Sequence, residues 1–194
     1  MFSSFYLTKR ACTQRLEQNL QRKLRILCLH GYNGDSNVIG HQMRHLRQVF
    51  SEVMDFVDID APFECPEKPP AELQRFLKNG RTKLRSWLKF ASWDEKQRLS
   101  PNVVFGLEEV VEYLAELMKT QGPFDGVICF SQGGIIFRHF YRITQEIDWS
   151  AFASPVNSKK QYFEMPKFMI TVASPVFNMK FRYKNELYEQ RMTP

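Results

Sequence analysis

At 194 residues, 43% apolar and 14% aromatic, the chain is long enough for one well-buried core and too short for two ordinary enzyme domains. Its net charge of +6 is concentrated in residues 1–25, where Lys9, Arg10, Arg15, Arg22, Lys23 and Arg25 face only Glu17; the near-neutral remainder argues against a nucleic-acid groove. Apolar runs fall short of a membrane span, and Cys12, Cys28, Cys65 and Cys129 lack C-x-x-C spacing, so no integral membrane protein, disulfide framework or metal site is expected.

Residues 1–23 read as a basic N-terminal extension of a cytoplasmic protein. Their aromatic, hydroxyl and basic side chains are also compatible with mitochondrial targeting, the alternative reading. Leu24 to His30 is a strand signal, followed by the turn cluster Gly31-Tyr32-Asn33-Gly34-Asp35-Ser36. Ile39, Met43, Leu46, Val49 and Phe50 then recur at helical spacing, with Asp35, Ser36 or Asn37 as N-cap. Val53 to Ile59 is a second strand that breaks at Asp60-Ala61-Pro62.

Residues 63–101 open on Pro66, Pro69 and Pro70, turn highly charged and include Trp87, Phe90 and Trp93. They read either as an insertion or lid above a sheet, or as an amphipathic surface helix whose tryptophans pack on the body. Val103, Leu107, Val110, Val111, Leu114, Leu117 and Met118 give one helical face opposite Glu108, Glu109, Glu112 and Glu116. A strand from Phe124 to Phe130 leads into a helix through Ile135, Ile136, His139, Phe140 and Ile143. A polar connection, a strand from Phe168 to Ser174 and a charged tail ending at Pro194 complete the chain. Alternating strands and helices imply an α/β fold, a parallel sheet with helices on both faces.

Chemistry centres on Phe130-Ser131-Gln132-Gly133-Gly134, an apolar strand that stops at a serine and runs into a helix. That is the local form of a nucleophile elbow, in which the serine sits at the apex and small residues flank it. Gly133 supplies one small neighbour, and Cys129 stands where the G-x-S-x-G pattern has its first glycine. His30-Gly31 closes the first strand at the same rim. A loop there can present a backbone N–H to an oxyanion alongside the N–H of Gln132. The nucleotide-binding patterns G-x-G-x-x-G and G-x-x-x-x-G-K-[ST] do not occur.

These segments resemble the FSH-type serine hydrolases of the α/β-hydrolase fold. The matching residues are Ile26 to Tyr32, Asp60-Ala61-Pro62, Gly106-Leu107-Glu108-Glu109, and Gly122 to Val127 leading into Phe130 to Gly133, in family order over roughly residues 24–180. The resemblance implies a serine hydrolase domain over 24–194, a small-molecule acyl ester as substrate, and no cofactor. It also implies Ser131 as nucleophile and an oxyanion or binding set of His30, Gly31, Tyr32 and Gln132.

Serine hydrolysis also needs a base for the serine proton and an acid to orient that base. In the family these follow later strands, whereas no histidine occurs here after His139, and Asp125 lies about 20 Å from Ser131 at strand rise. The expectation is a C-terminally incomplete hydrolase whose Ser131 is weakly activated, with a non-catalytic binding protein as the alternative. The strand at 168–174 then becomes an exposed apolar edge open to self-association.

Overall fold

The computed structural model describes residues 22–77, 80–90, 103–146, 163–174, 179–183 and 186–190. Strand β1 (Leu24–Leu29) leads into helix α1 (Ser36–Gln42), helix α2 (Arg44–Phe50) and strand β2 (Met54–Ile59). Asp35 caps α1 by accepting the Val38 N–H, one of the donors the first turn leaves unpaired. Where apolar spacing suggested one helix, the chain divides at Met43, whose backbone (φ −93°, ψ 7°) leaves helical geometry.

Short strands β3 (Phe63–Glu64) and β4 (Arg85–Ser86) pair antiparallel, with the single-turn helix α3 (Ala71–Gln74) between them. Next come β5 (Lys89–Phe90), β6 (Val103–Phe105) and helix α4 (Leu107–Gln121). Val103 therefore belongs to a strand and not to the helical face its spacing suggested. The divide is Gly106, held at φ +87° in the left-handed region, where a Cβ would also come within 2.6 Å of the Phe63 ring.

Strand β7 (Gly126–Phe130), helix α5 (Gln132–Glu146), and strands β8 (Phe168–Val172), β9 (Met179–Tyr183) and β10 (Glu186–Gln190) follow. The main sheet has the order β2-β1-β7-β8 and is parallel throughout. The charged tail, read from sequence only as a tail, forms the β9–β10 hairpin, and β9 pairs with β6 in a second sheet of order β10-β9-β6-β5.

Side-chain alternation divides the main sheet into two apolar faces. Leu27, Leu29, Val127 and Cys129 pack with α4, α5 and Trp87, whereas Ile26, Cys28 and Ile128 pack with Ile39 and Met43 beside α1. The sheet thus carries helices on both faces in the α/β-hydrolase-like manner. Of the 63–101 segment, Leu84, Ser86, Trp87 and Leu88 are buried in the body, while Trp93 lies outside the described residues. Cys28, Cys65 and Cys129 are buried free thiols. Among the described residues, no helix is long and apolar enough to cross a membrane and no group of side chains could hold a metal ion.

Candidate active site

A tight turn between β7 and α5 forces Ser131 to φ +48°, a conformation a non-glycine residue holds only when its surroundings over-determine it. The surroundings do so. The Ser131 N–H donates to the Val172 carbonyl of β8 at 2.9 Å, and its carbonyl accepts the Gly134 N–H at 3.0 Å. A Cβ on Gly133 would lie 2.7 Å from the carbonyl oxygens of both Leu29 and His30, so only glycine lets α5 come this close to β1. Cys129 is fully buried between β1 and β8 and its Cβ is accommodated there, which explains why the first glycine of the elbow pattern is dispensable.

The loop after β1 meets this apex. A Cβ added to Gly31 would lie 3.1 Å from the Ser131 Cβ, placing the loop backbone against the serine. Gln132 opens α5, so its backbone N–H has no intrahelical acceptor. Asn33 holds φ +52° inside the turn, and the Tyr32 hydroxyl donates to Glu67 at 2.6 Å. Ser131, Gln132, Gly31, Tyr32 and His30, the residues singled out from sequence, therefore come together at one rim of the sheet.

His30 is wholly buried, with both ring nitrogens engaged. Nε2 accepts the Ala61 N–H at 3.0 Å, which leaves Nδ1 to carry the proton and donate to the Gly31 carbonyl at 2.7 Å. Burial lowers its pKa and keeps it neutral. His30 thus ties the rim loop to the end of β2 and has no nitrogen left to accept a proton from Ser131. Partial burial opposes ionisation of neighbouring Asp60, but the Ser36 N–H and Arg81 outweigh it and hold its pKa at about 2. That carboxylate organises the start of α1.

The other histidines lie elsewhere. His139 is buried on α5, eight residues past Ser131 and about 12 Å along the helix axis, and burial with nearby Arg138 and Arg142 lowers its pKa to about 4. His41 packs tilted against Phe76 with ring centroids 5.2 Å apart, and His45 is exposed on α2. Among the described residues no side chain hydrogen-bonds the Ser131 hydroxyl. Asp125 sits at the opposite end of β7, bonded to Arg22 and to the Arg25 N–H.

Sequence reasoning left Trp87, which locks the rim, out of the site. The Trp87 N–H donates to Gln132 Oε1 at 2.9 Å, and the Trp87 indole Nε1–H donates to the His30 carbonyl at 2.8 Å. Only an aromatic among charged residues signalled Trp87 in the sequence, and nothing there pairs it with Gln132.

Comparison with known proteins agrees with this architecture. An esterase of Drosophila pseudoobscura pseudoobscura is 32% identical over 132 residues, covering 65% of this chain and 43% of its own. An uncharacterised hydrolase of Schizosaccharomyces pombe is 31% identical over 57% of this chain and 26% of its own. The esterase OVCA2 of Danio rerio is 30% identical over 58% of this chain and 53% of its own. The matches thus span from about a quarter to about half of these relatives' lengths. Residues 20–193 match the serine hydrolase (FSH1) family. The chain belongs to that serine hydrolase family.

Proposed function

We propose that Ser131 accepts the acyl group of a small carboxylic ester. Its Oγ bonds to the ester carbonyl carbon, the alcohol leaves with the serine proton after that proton has passed through a base, and water then releases the acid. The backbone N–H groups of Gln132 and of the Tyr32 region stabilise the oxyanion of each tetrahedral intermediate. The observation that carries this reading is the strained Ser131 apex, packed against the Gly31 loop and followed at once by the open start of α5. Relatives with the names esterase and hydrolase support the same chemistry.

The base is the weak member. His30 spends both nitrogens on backbone partners, and His41, His45 and His139 do not bond the serine, so Ser131 is slow in this chain. Fluorophosphonate labelling followed by peptide mapping tests both parts. Slow labelling at Ser131, abolished in Ser131→Ala, is expected; labelling that maps elsewhere refutes the nucleophile, and rapid stoichiometric labelling refutes the weak activation.

A second reading, an interaction protein that keeps the hydrolase fold, is favoured by β8. That strand forms an edge of the main sheet among the described residues, and Phe168, Met169, Ile170 and Val172 are 36–48% exposed. An apolar edge with open backbone groups pairs readily with a second copy of itself. Sedimentation is expected to show concentration-dependent self-association that Ile170→Lys suppresses; a monomer at all micromolar concentrations defeats this reading.

A further inference from the structure

The three-residue segment Arg85-Ser86-Trp87 bonds to both ends of the loop after β1 and to the side chain of Gln132. At the far end of the rim loop, the Gly34 N–H donates to the Arg85 carbonyl at 3.3 Å and the Arg85 N–H donates to the Gly34 carbonyl at 2.7 Å. At the near end, the Trp87 indole donates to the His30 carbonyl, and the indole and imidazole rings lie 5.2 Å apart. Across the site, the Trp87 backbone N–H donates to the side chain of Gln132. The Ser86 hydroxyl, itself donating to the Leu88 carbonyl at 2.7 Å, lies 3.4 Å from the same Gln132 oxygen. His30, Ser86, Trp87 and Gln132 are all buried, so these bonds are shielded from competing water.

We propose that Trp87 is a positioning residue for acyl transfer, a bracket that fixes the spacing between the oxyanion donor of the 31–33 loop and the donor at Gln132. The proposal rests on the reading of Ser131 as acyl acceptor. An oxyanion hole works because its donors are held where charge will develop before the charge arrives. Here the two donors belong to different βα turns, after β1 and after β7, which approach each other closely where Gly31 faces Ser131 and Gly133 faces the His30 carbonyl. Trp87 reaches both turns at once, one with its ring and one with its backbone. The bond to Gln132 is a side-chain bond, which leaves that residue's backbone N–H available to the substrate. Trp87 makes no hydrogen bond to the serine hydroxyl and acts through the turns it holds on either side of that serine.

Two variants separate the bracket from bulk packing. Trp87→Phe keeps an aromatic ring and the backbone N–H but deletes the donor to His30. Gln132→Met keeps side-chain length but deletes the acceptor of the Trp87 N–H. Backbone amide NMR of the full chain reads the geometry without any need for turnover. In either variant the amide signals of residues 31–34 and of 131–133 are expected to shift together, although each variant deletes a bond to only one of the two turns. Movement of only the turn that lost its own bond overturns the bracket, as does movement of neither.

Fluorophosphonate inactivation supplies the functional arm. The maximal inactivation rate kinact is expected to fall about tenfold with KI unchanged, the pattern of an interaction realised only as the tetrahedral centre forms. A rise in KI at constant kinact, or no change in either, overturns the positioning role. If the unmodified chain is never labelled at Ser131, the reading of Ser131 fails while the amide signals still decide whether Trp87 couples the two turns.

Discussion

Strands β7 and β8 lie side by side in one parallel sheet with closely similar apolar sequences, Gly-Val-Ile-Cys-Phe and Phe-Met-Ile-Thr-Val. Their surroundings are opposite. β7 sits between β1 and β8, with four of its five residues buried, whereas every residue of β8 is exposed. Local apolar character makes both of them strands, and the neighbours on either side decide which becomes core. The difference bears on chemistry because Ser131 leaves the end of β7 in a conformation that costs free energy. Rigid neighbours are needed to hold it, and β1, the Gly31 loop and Trp87 provide them on the buried side. From the other side the Val172 carbonyl of exposed β8 contributes one hydrogen bond to the Ser131 N–H.

Glycine substitutions test this contrast most severely. Gly133→Ala drives a Cβ into two backbone carbonyls of β1 and its end, which cannot move without displacing the central sheet. A loss of about 3 kcal/mol or failure to fold is expected. Gly126→Ala meets first the ring of Phe168, at 2.2 Å, and that ring belongs to the exposed strand and can swing away. Its expected cost is about 1 kcal/mol. Equal losses in urea unfolding would mean that β8 is packed as firmly as β7.

The next contrast uses one residue type in one register row. Ile128 of β7 pairs with Ile170 of β8, yet Ile128 is 5% exposed and Ile170 is 48% exposed. Ile128→Ala is expected to cost about 3 kcal/mol, because it removes buried methylenes and leaves a cavity beneath α1. Ile170→Ala is expected to cost less than about 1 kcal/mol. A loss at Ile170 that grows with protein concentration would show that β8 is covered in solution by the self-association proposed above.

This contrast also marks how far the sequence could be read. Apolar runs ending in turn residues located β1, β2, β7 and β8, and small residues after Ser131 located the elbow, because these signals are local. Val103 misled for the same reason: it keeps the helical spacing, but Gly106 at φ +87° ends any helix before it, and helical spacing is blind to φ. The β9–β10 hairpin and its parallel join to β6 escaped because register between distant strands is not written in either strand alone. Trp87 escaped for a related reason. Its two bonds reach 45 and 57 residues away, to a side chain and a carbonyl that no local pattern links to it.

The smallest effect expected tests where the two strands begin. Asp125 precedes β7, and its carbonyl accepts the N–H of Lys167, the residue before β8, at 2.9 Å, so one residue ties the start of both strands. Its carboxylate accepts two bonds from the Arg22 guanidinium and one from the Arg25 N–H, and Arg22 holds its pKa below the ordinary carboxylate value. The folded form therefore binds this proton less readily than the unfolded chain. The stabilisation is complete above the unfolded pKa of about 3.9 and disappears as pH falls through the lower folded value. Arg22 is half exposed, so screening limits the gain, and Asp125→Asn is expected to cost about 1 kcal/mol at pH 7. Urea midpoints of the two proteins should converge as the pH approaches 3. A difference that persists undiminished at that pH would assign the cost to the lost backbone anchor at the root of β7 and β8, and not to the charge.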